Sequence, residues 1–209
     1  MVDVNPGPPA RRLTLRDERA QVTRRRIADA ARRLFLRDGY AATTLAGIAT
    51  EAGVAVQTVY AVYDSKAGIL GALRESAMFQ PEAEALYGEA MAETSPRRRL
   101  ALFARSIRRR WELSGDIVSI HRDAGTADAE IRAGVAATLE RRRGGLATLA
   151  ATLDAALRPG VDVEKAAAVL DALTLPEVYA ELVGVHRWTS DAYEAWLVAA
   201  LVQELLDAG

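Results

Sequence analysis

Short apolar stripes of helical period, separated by glycine, restrict the first third of this chain more than any other feature. Ile27, Ala30, Ala31, Leu34 and Phe35 recur at offsets 0, 3, 4, 7 and 8 and so line one face of a helix. Arg25, Arg26, Arg32, Arg33 and Arg37 fall largely off that face, and Asp38-Gly39 ends it. Thr43 or Thr44 is placed to cap a second helix, with Leu45, Ile48, Ala49 and Ala52 at offsets 0, 3, 4 and 7. Gly53 stands where a left-handed residue closes a helix, and a second short helix, Val56 to about Tyr63, begins three residues later. Asp64-Ser65 then caps a longer helix from Lys66. Two short helices joined by a tight glycine turn, behind a supporting first helix, form the helix-turn-helix pattern.

The remainder points to an all-α fold. No alternating strand of useful length occurs, and alanine, leucine and arginine, all good helix formers, dominate. Breaks are expected at Gly39, Gly53, Pro81, Pro96, Gly115, Gly125, Pro159-Gly160 and Gly184. They divide the C-terminal part into helices over about 66–79, 82–93, 96–114, 116–124, 128–157, 162–184 and 190–206. Of the 209 residues, 50% are hydrophobic and 26% charged, which fits a folded globular chain. With no cysteine and only His121 and His186 as histidines, neither a metal nor a cofactor is expected. No apolar run reaches the ~20 residues of a membrane span, and the start lacks a signal-peptide core, so a cytoplasmic location is expected.

Charge is distributed unevenly. Up to Arg74 the chain holds 12 Lys+Arg against 7 Asp+Glu, and the rest holds 15 against 21. One end is therefore suited to a polyanion and the other is not. On a helical wheel turning ~100° per residue, Val59 and Tyr63 point inward together while Gln57 and Ala61 point the opposite way. Thr58 and Tyr60 flank that outward face. It offers an amide for an adenine edge, a methyl for thymine, a hydroxyl, and a phenol for phosphate. Lys66 and Thr44 are further phosphate candidates, and the long Gln57 side chain could reach a phosphate instead of a base.

The run Arg24-Arg25-Arg26-Ile27, Leu34-Phe35, Gly39-Tyr40, Thr43-Thr44-Leu45, Ile48-Ala49, Ala52-Gly53-Val54, Thr58-Val59-Tyr60, Tyr63-Asp64-Ser65-Lys66 and Leu70 resembles the TetR-family DNA-binding domain, in order and without gaps. The resemblance implies a transcriptional regulator: a helix-turn-helix domain at 17–65 behind a basic arm at 1–16, then an effector-binding and dimerisation domain at 66–209. Its expected partners are double-stranded DNA with a pseudo-palindromic operator, a small-molecule effector and a second copy of the chain. The expected DNA contacts are Thr44, Gln57, Thr58, Tyr60, Ala61 and Lys66. Four positions depart from the family pattern. Ala55 replaces a capping Ser, at a cost of about 1 kcal/mol. Gly47 replaces an acidic capping-box residue, Val62 a Tyr or His, and Tyr63 a Phe. Arg11, Arg12, Arg16 and Arg19 form either a solvated tail or a minor-groove arm.

Between Ala192 and Val202, Glu194 alone interrupts an apolar helix, which therefore needs cover on two sides. A second copy is the natural cover, through Trp196, Ala199, Ala200 and Gln203. The helix from Asp162, with Ala166, Val169, Leu170, Leu173 and Glu177, is its expected partner in a four-helix interface. Effector-pocket candidates are Phe103, Ile107, Trp111, His121 and Tyr179, with Trp188 beside them; each could equally be core. The arginine triplets at 97–99, 108–110 and 141–143 read as solvated helix faces. Glycine-rich phosphate loops, nucleophile elbows and metal-ligand pairs are missing, so an enzyme is not expected. The competing reading is a DNA binder controlled by a partner protein or by no ligand at all.

Overall fold

The computed structural model describes residues 15–78 and 80–207, and its regular elements are helical throughout. Among the described residues the one β feature is an isolated antiparallel bridge between Leu157 and Leu206. α1 (Leu15–Asp38) buries the predicted stripe Ile27, Ala30, Ala31, Leu34 and Phe35 and ends at Gly39, whose φ of +81° requires a residue without Cβ. Thr44 is the cap of α2 (Leu45–Ala52), its Oγ1 accepting from the Gly47 N–H at 3.0 Å. Thr43 is buried and donates to the Gly39 carbonyl instead. After the left-handed Gly53, α3 (Val56–Tyr63) leaves at 107° to α2, within the range of a helix-turn-helix. Ala55 makes no side-chain cap, as its identity dictates.

Ser65 starts α4 (Lys66–Met78) by accepting from the Gly68 N–H at 3.0 Å. A Cβ at Gly68 would lie 2.1 Å from the Tyr63 carbonyl oxygen, so only glycine allows α4 to begin this close behind α3. α5 (Pro81–Ala92) follows, and then α6 (Pro96–Ala127), which runs unbroken through Gly115 and Gly125 where the sequence predicts breaks. A glycine costs a helix interior only about 1 kcal/mol, and α6 offsets this by burying apolar groups along its whole length. Leu100, Phe103, Ala104 and Ile107 enter one core; Ile117, Ile120 and Ala124 enter another.

α7 (Ala129–Ala151) is capped by Asp128, and α8 (Val163–Leu173) by Asp162. The single helix expected over 162–184 is divided. Leu175 is extended before Pro176, because the proline ring excludes the helical conformation from its predecessor. α9 (Pro176–Tyr179) passes into a π-helical turn, Ala180–Val185, and α10 (Ser190–Leu205) follows from the Thr189 cap.

Two cores result. α1–α4 and the C-terminal half of α6 form the first; α5, the N-terminal half of α6, the end of α7, α8 and α10 form the second. α6, about 48 Å long at ~1.5 Å per residue, serves both, and α7 does so more lightly, with Ile131 packed on the first core and Leu146, Leu149 and Ala150 buried in the second. The C-terminal half of α6 is fastened to α1 and to the turn after α1 by polar bonds as well. Arg32 grips Asp116 bidentately, with both N···O distances 2.6 Å, and the Tyr40 N–H donates to Asp123 at 3.0 Å.

Candidate nucleic-acid interface and ligand cavity

The outward face of α3 is positioned from behind. Val59 and Tyr63 are buried, and the Tyr63 hydroxyl donates to the Arg24 carbonyl on α1 at 2.9 Å. The Arg24 guanidinium lies over the Tyr63 ring, 4.9 Å from its centroid, and Arg26 donates to the Ala52 carbonyl at the end of α2. Gln57, Tyr60 and Ala61 are left exposed, with Tyr60 at 53% of its accessible surface, and Thr58 is half-buried beside them. Thr44 is exposed at the start of α2; its oxygen accepts the capping bond while its hydroxyl hydrogen stays available to a phosphate. Arg19 is exposed on α1, whereas residues 1–14 of the basic arm and the Arg16 side chain lie outside the described residues.

Lys66 differs from expectation. Its ammonium donates to the carbonyls of Tyr40, Ala41 and Thr43 at 2.6, 3.3 and 2.9 Å, and sits 4.3 Å from the Tyr40 ring centroid. An ammonium has three donors, and all three are taken. Lys66 therefore closes the turn between α1 and α2 instead of presenting its charge to a phosphate, and burial lowers its pKa from the ordinary lysine value.

In the C-terminal part, α4, α5, α6 and α7 line a cavity of about 610 Å³ that opens to solvent. Its main wall is one stripe of α6: Phe103, Ile107, Arg110, Ser114, Ile117 and His121, at alternating spacings of four and three. Four expected pocket residues, Phe103, Ile107, Trp111 and His121, line it. Tyr179 does not. Its hydroxyl shares a 3.0 Å hydrogen bond with Ser190 and its ring packs edge-on against Tyr193, so it joins α9 to α10. Trp188 likewise packs against Trp196, away from the cavity.

Polar groups in the wall are mostly committed. Trp111 Nε1 donates to the Thr174 carbonyl at 3.1 Å, and Ser106 and Ser114 donate to carbonyls of their own helix. His121 Nδ1 faces the Ile117 carbonyl at 2.9 Å and so carries the hydrogen there. Burial pushes the His121 pKa below its ordinary value; the Ile117 carbonyl opposes this, Arg74 adds to it by repulsion, and the Leu70 carbonyl opposes it.

Arg110 and Arg142 both line the cavity, although the arginine triplets were expected to be solvated. The signal lies in register: Arg110 stands three and seven residues beyond Ile107 and Phe103, and Arg142 four before Leu146. Arg141 reaches the lining too and donates to Thr138 Oγ1, whereas Arg108 pairs with Asp191, Glu112 and Glu194, and Arg109 with Glu82 and Glu112. Arg99 is different again, donating to carbonyls of Ala90, Glu93 and Thr152 where the ends of α5 and α7 meet α6.

α10 buries Tyr193, Leu197, Leu201 and Leu205 within its own chain and exposes Ala195, Ala199 and Gln203, with Trp196 and Ala200 half-buried at the edge of that face. On α8, Ala166 and Leu170 point fully inward while Val169 and Leu173 are half-buried. Glu177 is paired with Arg122. Among the described residues no cluster of side chains could hold a metal ion, and no single helix is long and apolar enough to cross a membrane.

Residues 27–73 match the family model described as bacterial regulatory proteins, tetR family. No curated protein matches the chain in sequence. Solved structures share the fold over nearly its whole length. NalD, the secondary repressor of the MexAB-OprM multidrug efflux pump in Pseudomonas aeruginosa, is 20% identical with a TM-score of 0.61, over 92% of this chain and 100% of that one. The ketosteroid transcriptional regulator KstR2 of Mycobacterium tuberculosis is 19% identical with a TM-score of 0.68, over 88% and 95%. The regulator FadR from Bacillus subtilis, solved with stearoyl-CoA, is 19% identical with a TM-score of 0.64, over 85% and 97%.

Proposed function

Because its residues 27–73 make this chain a member of the tetR family of bacterial regulatory proteins, we propose that it is a sequence-specific repressor whose hold on DNA is released by a small molecule. The observation that carries the second half is the double service of α6. One stripe of this helix walls the cavity, and its C-terminal half is part of the core beneath the helix-turn-helix. α4 does the same from the other side: Leu70 lines the cavity and is also buried in the N-terminal core. A ligand that fits the cavity better in one setting of α4 and α6 shifts the two recognition helices of a dimer relative to each other.

In this reading 17–65 is the DNA-binding unit, 1–16 its arm, and 66–209 the unit that binds effector and dimerises through α8 and α10. The protein works with DNA in the bacterial cytoplasm. Gln57 and Ala61 face bases, Thr44 and Tyr60 face phosphates, and Thr58 lies between them. Selection of bound fragments from the source genome, followed by anisotropy titrations, tests it. The expected site is a pseudo-palindrome with half-sites about one helical turn apart or somewhat more. Gln57→Ala should cost about 1–3 kcal/mol on the preferred site and much less on a site altered at one base pair. Tyr60→Phe should weaken every site alike. Absence of any preferred sequence would overturn the reading.

A further inference from the structure

The cavity has an electrically distinct inner end. Arg110 carries five N–H donors, yet it makes no hydrogen bond or close ion pair with any described residue, in contrast to Arg108 and Arg109 beside it. Glu84 acts on it only through space. The second guanidinium at this end, Arg142, is already held by Asp171 and by Thr174 Oγ1 at 2.6 Å. The two arginines are near enough to repel each other, and burial, with repulsion first from Arg143 and then from Arg110, lowers Arg142 to a pKa of about 10. None of the lining acids forms an ion pair with Arg110. Glu84 and Glu130 are exposed, and Asp128 is engaged as the cap of α7. Beside the arginines the lining is largely apolar, with Phe103, Ile107, Leu139 and Leu146 among it.

We propose that this cavity takes an amphipathic monocarboxylate, its head on Arg110 and its apolar chain or ring along the α6 stripe. The proposal rests on the reading of the cavity as the effector site and narrows that site to a chemical class. A partly buried guanidinium without hydrogen bonds is costly, and a carboxylate removes the cost bidentately. An ammonium head would add a like charge beside Arg110 and Arg142, and a neutral hydroxyl would leave the charge uncompensated. A dianionic phosphate calls for a second free cation beside Arg110; Arg142, which is close enough to repel it, is spent on Asp171, and neither Arg74 nor Arg141, which also line the cavity, acts on Arg110. The volume of about 610 Å³ lies within the range of small-molecule sites and far exceeds a bare carboxylate, so the ligand needs an apolar body.

Calorimetric titration of the full chain with octanoate and 5-phenylpentanoate, each against the alcohol and amine of the same skeleton, tests this. The carboxylates should bind at least about tenfold tighter than their partners, and Arg110→Met should abolish the difference. If Arg110→Met does not fold, the comparison of head groups on the unaltered protein still decides. Equal binding of the alcohols, tighter binding of the amines, no binding of either carboxylate at millimolar concentration, or a preference that survives in folded Arg110→Met would each overturn the proposal. Anisotropy on the selected operator, in the same samples, keeps the two readings apart. Carboxylate bound while DNA is retained supports the ligand class and defeats effector release. DNA released only by neutral or cationic compounds does the reverse.

Discussion

Lys66 shows how a single side chain changes meaning between sequence and structure. A lysine at the start of the helix behind a recognition helix reads as a phosphate contact. Its three carbonyl acceptors show that it closes the turn ahead of α2 instead. Lys66→Ala should therefore act on stability, lowering unfolding free energy by about 1.5–3 kcal/mol in urea titrations, because three carbonyls lose a charged donor. The salt slope of DNA binding by the folded variant should stay the same; a slope reduced by one charge per half-site would mean that the ammonium leaves the turn to reach DNA. His121 behaves in the opposite sense to an ion-paired group. Its folded pKa lies below the ordinary 6.5, so the unfolded chain binds the proton more readily. The stability that the neutral ring contributes is whole above pH 6.5 and is lost as pH falls through that value toward the lower, folded pKa. Denaturation at pH 7.5 and 5.5 should show a fall in stability that is smaller in His121→Gln, and an equal fall in both proteins would refute the assignment.

At the scale of elements, α6 is the departure with most consequence. Gly115 reads as a break, yet it sits inside a continuous helix where an added Cβ would meet the Trp111 Cβ at an ordinary 3.7 Å. Gly115→Ala should thus stabilise the protein by about 0.5–1 kcal/mol, read as a raised midpoint in thermal or urea unfolding. A lowered midpoint would show that α6 bends there in solution. Gly68 looks equally unremarkable in sequence, but its approach to the Tyr63 carbonyl makes any side chain there costly. Gly68→Ala should cost about 1–3 kcal/mol through overpacking at the α3–α4 junction.

For the whole molecule, the proposed assembly is tested on the exposed face of α10. Trp196 packs on Trp188 and Tyr193, so its replacement disturbs the protomer itself. Ala199 is exposed and small, which makes Ala199→Glu the cleaner probe. Sedimentation should find the unaltered chain dimeric at micromolar concentration and Ala199→Glu shifted to a helical monomer. A variant that stays dimeric would place the interface elsewhere.

What the sequence by itself determined was whatever depends on short range. The α1 stripe, the Thr44 region, the glycine turn at Gly53 and the inward pair Val59 and Tyr63 are all written in spacings of three and four and in residues with special backbone needs. Even Arg110 and Arg142 keep register with buried neighbours, a signal that charge outweighed in the reading of the triplets. Only tertiary structure decided the rest. Whether a glycine breaks a helix depends on how much distant surface that helix buries, and α6 buries two cores' worth. Whether Lys66 meets a phosphate or three carbonyls depends on where the turn after α1 comes to lie. Tyr179 left the expected pocket for α10 because the Leu175-Pro176 break redirects the chain, and the cavity itself exists only where four helices fail to fill the space between them. Those outcomes are set by long-range packing, for which no local pattern carries a code.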